Sequence, residues 1–315
     1  MCTAIYSQDG GALFGRNLDL ECSLGERVVF CPRGFPLPLR TLPDIAQHAA
    51  LLGMAHVADG QPLFYDAVSE HGLAMAGLNF PGFCTYHETK EGALNLAPFE
   101  LIPYVLGTCR TLEEARTLLR RVSLTDAAFS PALPNTPLHF MLASQEGSLV
   151  IESTADGLHI YDNPAQVMTN SPPFPWHIQR LSDFMGLSRN PAENRFSPAL
   201  NLRAYSRGMG AMGLPGDLSS SSRFVRAAFA RANSACPQNV SPVSHFFHLL
   251  DFVAMPGGCV RLEDGRDEIT VYSSCMDLEK GIYYYKTYES STLRKAEIAA
   301  MDPQGNALVS LPQET

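Results

Sequence analysis

The sequence of 315 residues lacks the features that mark nucleic-acid-binding, zinc-binding and membrane proteins. Its formal net charge is −9 and it contains no basic run, which argues against nucleic acid and anionic membranes as partners. It has eight cysteines, but they form no CxxC pair and no tight cluster with histidine, so a zinc site is not expected. No apolar run is long enough to cross a bilayer and no signal peptide precedes Cys2, so we expect a reduced, cytoplasmic protein.

The chain also lacks strand–helix–strand alternation, an internal repeat and any shift in composition that would mark a linker. Short apolar runs separated by Asp-Gly or His-Gly turns predict strands over residues 27–32, 50–57, 62–68 and 72–80. Helices are predicted from about residue 98, with a capping box at Thr111 and Glu114, and over 174–187, 221–235 and 243–253. This order predicts an α+β fold in which helices sandwich antiparallel sheets, within a single domain of residues 1–315.

The first twenty residues predict a β-hairpin with reactive groups at its open end. A turn signal, Asp-Gly-Gly, separates two short strands. With a four-residue loop, Cys2 would pair with Asn17, and Arg16 and Asp19 would lie one or two positions away. Strict alternation places Arg16 and Asp19 on opposite faces, so both would reach Cys2 only if the strand ends or bulges near Asn17.

Removal of Met1 would leave Cys2 with both a thiol and a free α-amine. Such an amine has a pKa of roughly 8, which suits it to take the thiol proton near neutral pH. Arg16 would favour the thiolate, and Asp19 would orient the amine through a hydrogen bond. Alternatively, Cys2 is one of the small residues that commonly follow Met1, and the second strand has an ordinary end. The presence of all these groups in one hairpin favours an N-terminal nucleophile.

Three further polar residues stand at positions that have two interpretations each. Arg223 lies in the first turn of a helix that starts in a Ser-rich segment, where a cation opposes the macrodipole by typically ~0.3–1 kcal/mol. It is either a surface arginine paired with Asp217 or a cation directed into a cleft, and in the second case its loss would not harm the helix. Asn79 and Asn170 each end an apolar strand, where an amide either forms a turn or donates to a developing oxyanion. The nine histidines give no Ser-His-Asp spacing.

Longer motifs resemble the choloylglycine hydrolase family, the bile-salt hydrolases and penicillin V acylases among N-terminal nucleophile hydrolases. The resemblance runs through most of the chain, and several of its segments are long and specific. These segments are MCTAI, FGRNLDL, CPRGFPLP, GLNFPGF, VMTNSPPFPWH, GLPGDLSSSSRFVRAAF and TVYSSCMD.

The resemblance implies a four-layer αββα sandwich, the N-terminal nucleophile hydrolase fold, with no metal or organic cofactor. The implied catalytic residues are the nucleophile Cys2 with its α-amine as base, Arg16 and Asp19 tuning it, Asn79 and Asn170 polarising the scissile amide oxygen, and Arg223. Attack on the amide would give a thioester that water then hydrolyses. The family is commonly tetrameric, which implies a homo-oligomer, and the irregular segment 188–215 is a candidate for assembly.

Within the family, the segment GLNFPG resembles the bile-salt hydrolases, because penicillin V acylases tend to carry an aromatic residue where Asn79 stands. This favours bile salts conjugated to glycine or taurine as substrate. The alternatives are a penicillin V or other N-acyl amidase with the same machinery, and a non-catalytic binding protein on the same fold. Loops at 20–24, 58–65 and 127–138 are expected to line the pocket, with Cys22 and Cys31 near its mouth.

Overall fold

A computed structural model describes residues 1–311 of the chain. In chain order, the strands are β1 (Cys2–Ser7), β2 (Leu13–Leu20), β3 (Arg27–Cys31), β4 (Leu51–Ala58), β5 (Gln61–Ser69), β6 (Ala74–Asn79), β7 (Leu94–Leu96), β8 (Val122–Leu124), β9 (Leu138–Ser144), β10 (Gly147–Thr154), β11 (Gly157–Asp162), β12 (Val167–Met168), β13 (Ile269–Asp277), β14 (Ile282–Thr287), β15 (Arg294–Glu297) and β16 (Val309–Ser310). The α-helices are α1 (Leu101–Thr108), α2 (Leu112–Leu119), α3 (Phe174–Arg180), α4 (Ser220–Asn233) and α5 (Pro242–Asp251). Short 3₁₀ helices cover Pro98–Glu100, Leu181–Phe184, Met209–Ala211 and Ile298–Ala300.

Two large antiparallel sheets organise these elements. The first has six strands in the order β12–β1–β2–β13–β14–β15. The second has eight strands in the order β11–β10–β9–β6–β5–β4–β3–β16. Strands β7 and β8 form a separate parallel pair. Because β1 and β2 lie inside the six-stranded sheet, the N-terminal hairpin is held by neighbours on both sides.

The two faces of the eight-stranded sheet belong to two different cores, and this arrangement gives the four layers. On β4, Leu52 and Met54 join the core shared with the six-stranded sheet, whereas Leu51 and Ala55 join the core under α1 and α2. Helices α4 and α5 pack against the six-stranded sheet through β1 and β13. Sheets covered on both faces need apolar residues on both, which these strands supply. The predicted αββα sandwich is therefore confirmed.

The N-terminal hairpin forms, but its predicted register is wrong by one residue. Cys2 pairs with Leu18, and Asn17 pairs with Thr3, because the connecting loop has five residues rather than four. Gly10 in this loop has a φ of +83°, a conformation that strains other residues. The loop thus uses its glycine to accommodate the extra residue, and every pair along the hairpin shifts with it.

The predicted helices α4 and α5 occur within two residues of their expected bounds. Thr111 caps α2 by accepting from the Glu114 amide, but the Glu114 carboxylate accepts from the Arg110 amide, so the predicted capping box does not close. The helix predicted over 174–187 ends at Arg180, where a 3₁₀ turn replaces it. Strands β7, β8, β15 and β16 were not predicted, because segments of two to four residues carry too little periodicity.

Candidate active site

The thiol of Cys2 lies against the guanidinium of Arg16. Arg16 Nη2 donates to Cys2 Sγ over 2.6 Å, and both side chains are buried. Other N–H groups of the guanidinium donate to the backbone carbonyls of Gly77 at 2.7 Å and Asn17 at 3.3 Å. The side chain is therefore fixed by the two sheets that enclose it. A cation held against sulfur stabilises the thiolate relative to the thiol.

Behind Arg16 lies a buried carboxylate, Asp66, which sequence reasoning missed. Tyr272 and Tyr283 donate their hydroxyl groups to Asp66 at 2.5 and 2.6 Å. Burial alone lowers the pKa of Arg16, but nearby acidic groups, with Cys2 first among them, outweigh burial and raise it. The guanidinium therefore stays charged. The available signal was an acidic residue within an apolar strand, since a buried carboxylate needs partners.

Asp19 lies beside the N-terminal backbone. Its Oδ1 accepts from Thr270 Oγ1 at 2.6 Å, and its backbone carbonyl accepts from the amine of Met1 at 2.6 Å. Burial raises the pKa of Asp19, and the Arg223 guanidinium, 3.9 Å away, opposes that rise. The carboxylate is thus close to the chain terminus and paired with a buried cation.

Arg16 and Asp19 meet different parts of the N-terminal segment, which is consistent with their opposite positions in the strand. Arg16 contacts the sulfur, whereas Asp19 contacts the backbone next to it. The strand end or bulge near Asn17 that both contacts with Cys2 would have required does not occur on β2, and the register shift lies in the partner strand β13, between Thr270 and Tyr272. An extra residue there brings Thr270 into hydrogen-bond range of Asp19.

Met1 precedes Cys2 and is anchored at its own amine. The amine makes an ion pair with Glu268 in addition to its hydrogen bond with Asp19. While Met1 is attached, the Cys2 nitrogen belongs to a peptide bond and has no basic lone pair. Removal of Met1 would turn the same nitrogen into an amine, already placed next to the thiol.

Asn170 holds the Cys2 nitrogen and connects it to Asn79. Its Oδ1 accepts from the Cys2 backbone N–H at 2.7 Å and from Arg223 Nη2 at 2.7 Å. Its Nδ2 donates to the backbone carbonyl of Asn79 at 2.8 Å. Asn79 ends β6, is half-buried and lines the same cavity as Cys2. The two asparagines predicted as site residues therefore meet at the N-terminal cysteine.

Arg223 is fully buried, so its interpretation as a surface residue paired with Asp217 is wrong. It is the fourth residue of α4 and donates to the Cys2 carbonyl at 2.6 Å and to Thr3 Oγ1 at 2.5 Å, besides Asn170. Asp217 instead accepts from the Ser222 hydroxyl and from a backbone amide near the helix start. Burial lowers the pKa of Arg223, against the influence of nearby acidic groups. Arg223 thus fixes the backbone of the N-terminal cysteine.

A largely apolar cavity of about 350 Å³ opens over Cys2. Each of the three segments expected to line it contributes, with Leu24 from the first, Phe64 from the second and Phe129 from the third. The second segment was predicted as a loop, but Phe64 lies on strand β5. A fourth wall, from Phe99 and Ile102 around the start of α1, was not predicted. Aliphatic and aromatic walls with few polar groups suit a rigid apolar ligand.

The two other cysteines expected near the cavity mouth differ in environment. Cys22 is exposed on the loop after β2. Cys31 does not lie near the mouth, because it is buried in the core under α1 and α2, where burial raises the pKa of its thiol to about 12. A thiol with so high a pKa is unreactive at neutral pH.

Comparisons with known proteins place this site in a family. Residues 2–309 match the family model described as linear amide C–N hydrolases, choloylglycine hydrolase family. The chain belongs to the choloylglycine hydrolase family.

Relatives in this family cover nearly the whole chain. A bile salt hydrolase/transferase from Lactiplantibacillus plantarum is 43% identical over 313 residues, which span 99% of this chain and 97% of the relative. A protein of the same description from Clostridium perfringens is 37% identical, over 98% of this chain and 95% of the relative.

Solved structures agree with the fold described above. A mutant of the conjugated bile acid hydrolase from Clostridium perfringens has a TM-score of 0.92 at 35% identity, covering 100% of this chain and 97% of that one. Penicillin V acylase from Agrobacterium tumefaciens has a TM-score of 0.77 at 20% identity, over 98% of this chain and 90% of that one, and shares the fold.

This chain is therefore an enzyme of the class that hydrolyses linear amides.

Sequence reasoning missed several groups that position the N-terminal hairpin, among them Thr3, Thr270 and Glu268. Thr and Glu at these positions have no distinctive spacing. Only the pairing of β1, β2 and β13 brings them within reach of Cys2. Within residues 1–311, no helix has the length and apolar character needed to cross a membrane.

Proposed function

We propose that this chain hydrolyses the amide bond of bile salts conjugated to glycine or taurine. The observation that carries the proposal is the 2.6 Å contact between Arg16 Nη2 and Cys2 Sγ at the wall of an apolar cavity. The relatives that match nearly the whole chain are described as acting on bile salts. A steroid is rigid and apolar, and walls such as Phe64, Phe99 and Phe129 are suited to bury it.

Acylation begins once Met1 has been removed. The α-amine of Cys2 accepts the thiol proton, and Arg16 stabilises the thiolate. The sulfur attacks the carbonyl carbon, a C–S bond forms, and the carbonyl electrons move onto oxygen. Collapse of this intermediate breaks the C–N bond, and the departing glycine or taurine takes the proton from the α-ammonium group. A thioester on Cys2 remains.

Stabilisation of the oxyanion is assigned to Asn79 and Asn170. Asn79 ends its strand at the cavity wall, next to Cys2. Asn170 carries two amide N–H groups, and its hydrogen bond to the Asn79 carbonyl uses one of them. Fixed amide donors cost little reorganisation when charge develops on oxygen. Arg223, which is paired with Asp19, holds the Cys2 carbonyl in place for this step.

Deacylation uses the same groups in reverse. The α-amine of Cys2 takes a proton from water, the resulting hydroxide attacks the thioester, and a C–O bond replaces the C–S bond. Arg16 then receives the thiolate that leaves. An amine in place of water would give a new amide, and the two relatives above are described as hydrolase/transferase. Acyl transfer to amines is therefore a second candidate function, tested by mass spectrometry of cholate donors incubated with an excess of amino acid.

The proposed substrate is tested by comparing the hydrolysis of glycocholate, taurocholate and penicillin V on one preparation whose intact mass shows loss of Met1. We expect kcat/KM to be higher for at least one of the two bile salts than for penicillin V. Faster turnover of penicillin V would favour the alternative N-acyl amidase. The absence of any turnover by a chain that has lost Met1 would favour the non-catalytic binding protein.

The proposal extends to the form of the active protein. We expect residues 1–315 without Met1 to act as a single domain in the cytoplasm and to assemble as a homotetramer. Segment 188–215 supports assembly, because Phe196 and Tyr205 are both 84% exposed in it and Met212 is 64% exposed. Light scattering of the wild type against a Phe196→Ser, Tyr205→Ser variant tests this, and a wild-type monomer would contradict it.

A further inference from the structure

A buried histidine and glutamate lie behind the two asparagines, outside the groups assigned above. His139 is on β9 and Glu152 on β10, and both are almost completely buried. His139 Nδ1 is 3.1 Å from Glu152 Oε1. We propose that this hydrogen-bonded pair is a positioning device that fixes Asn170, and through it the nitrogen of Cys2, for catalysis.

The hydrogen bonds of the pair define its orientation. His139 Nε2 is 2.8 Å from the backbone carbonyl of Thr169, which only accepts, so Nε2 is the donor there. The Phe174 amide donates to both carboxyl oxygens of Glu152, at 2.9 and 3.2 Å. The hydrogen bond between His139 Nδ1 and Glu152 Oε1 joins the two side chains. Each of them is therefore held at both ends.

The pair forms hydrogen bonds with the chain on both sides of Asn170. His139 holds the carbonyl of Thr169, the preceding residue, and Glu152 holds the amide of Phe174, four residues later. A second histidine, His177, donates from Nε2 to the carbonyl of Asn170 itself at 2.9 Å. Three hydrogen bonds therefore fix the segment whose side chain accepts from the Cys2 nitrogen.

The same imidazole also contacts the segment that carries Asn79. The Phe80 ring stacks on His139 with centroids 4.4 Å apart and planes 7° apart. Phe80 directly follows Asn79, whose carbonyl accepts from Asn170 Nδ2. His139 is therefore in contact with a neighbour of each asparagine. Loss of these contacts of His139 would let the segments that carry Asn79 and Asn170 move independently.

A buried polar pair adds little net stability over an apolar pair of the same volume, because desolvation opposes the attraction. What this pair supplies is a defined position, since its hydrogen bonds have fixed lengths and directions. A displacement of about 1 Å at a reacting group lowers rates by on the order of 10²-fold. The inference rests on the proposed function, because the role of Asn170 is part of it.

The test compares wild type with His139→Gln, Glu152→Leu and the double variant. The control is His159→Gln, which removes the histidine of an exposed pair with Asp156 that has the same 3.1 Å separation. For the three variants we expect kcat on glycocholate to fall by roughly 10- to 100-fold, with KM nearly unchanged. The double variant is expected to match the single ones, since either change breaks the same unit. The control is expected to keep wild-type kcat.

A second readout does not depend on the substrate. The rate at which iodoacetamide modifies Cys2, followed peptide by peptide, reports how well the amine and thiol are arranged. We expect His139→Gln and Glu152→Leu to slow this reaction at temperatures well below unfolding. If His139→Gln does not fold, Glu152→Leu carries the test, because Leu fills a buried site without adding a polar group.

The outcomes separate the inference from the proposed function. A wild type that fails on bile salts overturns the proposed function, while the alkylation rates still judge the pair. Folded variants with wild-type kcat and alkylation rates would overturn the positioning role. A loss of activity that only follows the unfolded fraction in melting curves would also overturn it, because a merely structural pair predicts that result.

Discussion

The two reactive ends of Cys2 have contrasting surroundings. The sulfur lies at the wall of the apolar cavity and accepts one hydrogen bond from Arg16. The nitrogen and the carbonyl lie among polar groups, where Asn170 accepts from the nitrogen and Arg223 donates to the carbonyl. Both sides are buried, but one is shaped for a substrate and the other for fixed hydrogen bonds.

The difference shows that the sulfur and the nitrogen of Cys2 have separate roles. On the sulfur side, a low-polarity cavity strengthens the electrostatic effect of Arg16 and leaves room for an apolar acyl group. On the nitrogen side, each contact restricts the geometry of a future amine. We therefore expect changes on the sulfur side to remove the chemistry, and changes on the nitrogen side to weaken it.

The largest effect is expected from Cys2→Ala, which removes the sulfur and leaves the nitrogen side intact. Hydrolysis of conjugated bile salts should be lost, while the melting temperature stays close to that of the wild type. Cys22→Ala is the matched control, since Cys22 is an exposed thiol close to the same region. Hydrolysis by Cys2→Ala at a substantial fraction of the wild-type rate would remove Cys2 as nucleophile.

Truncation of either asparagine tests residues that lie between the sulfur side and the nitrogen side of Cys2. Asn79→Ala and Asn170→Ala should each lower kcat by roughly 10²–10³, the range for loss of one oxyanion donor, with a smaller change in KM. Asn170→Ala should have the larger effect, because Asn170 also holds the Cys2 nitrogen. Steady-state kinetics on glycocholate provide both constants. A loss confined to KM would mean that these amides only bind substrate.

Arg223 belongs to the nitrogen side of Cys2. Because it is buried, its removal is expected to affect the stability of the protein. On macrodipole grounds alone, Arg223→Gln would be neutral for the helix, but that reasoning holds for an exposed cation. Its loss leaves Asp19 without a buried counter-ion and Thr3 without a donor, so we expect a stability loss of roughly 3 kcal/mol.

The same variant is expected to lose more than tenfold in kcat/KM, measured well below its melting temperature. Arg223→Lys should recover part of this loss, because a point charge does not reproduce the bidentate fork. Equal kcat/KM for the wild type and a folded Arg223→Gln would show that Arg223 serves stability alone.

The smallest effect is expected from a change of pH. It acts through His177, which supports the nitrogen side of Cys2. Burial lowers the pKa of His177 from 6.5 to about 4. Between these values the unfolded chain binds more protons than the native one, so this contribution to stability is complete above pH 6.5 and is lost as the pH falls towards 4. It amounts to about 3 kcal/mol.

His177→Gln keeps a donor for the Asn170 carbonyl but does not titrate in this range. Its unfolding free energy should therefore change less between pH 7 and pH 4 than that of the wild type, by urea titration at each pH. Parallel curves for the two proteins would show that the pKa of His177 is the same in the native and the unfolded state.

The sequence allowed the αββα architecture and the meeting of the six site residues to be predicted, for reasons that differ between them. Arg16 and Asp19 follow from a hairpin, which is a local structure. Asn170 and Arg223 meet Cys2 from 168 and 221 positions away. Each had two interpretations from the sequence itself, and only the family resemblance chose between them.

What the sequence did not reveal depends on distant packing. The hairpin register shifted by one because a glycine allowed a longer loop. Asp66 and Glu268 come near the site through pairing of strands in two sheets. An acidic residue within an apolar strand signals that Asp66 needs partners, but not which residues supply them. Periodicity describes which side of a strand is buried, whereas partners across a core depend on the whole fold.

The claim that Cys2 acts with its own α-amine is tested most directly by placing in front of it two residues that cannot be removed. A Met1→Gly-Ser extension, verified by intact mass, retains the thiol, Arg16 and the cavity, and converts the amine to an amide. We predict that turnover of glycocholate falls to near background in this variant, while the chain processed at Met1 remains active on the same day and at the same pH. Normal turnover by the extended chain would contradict the N-terminal nucleophile mechanism.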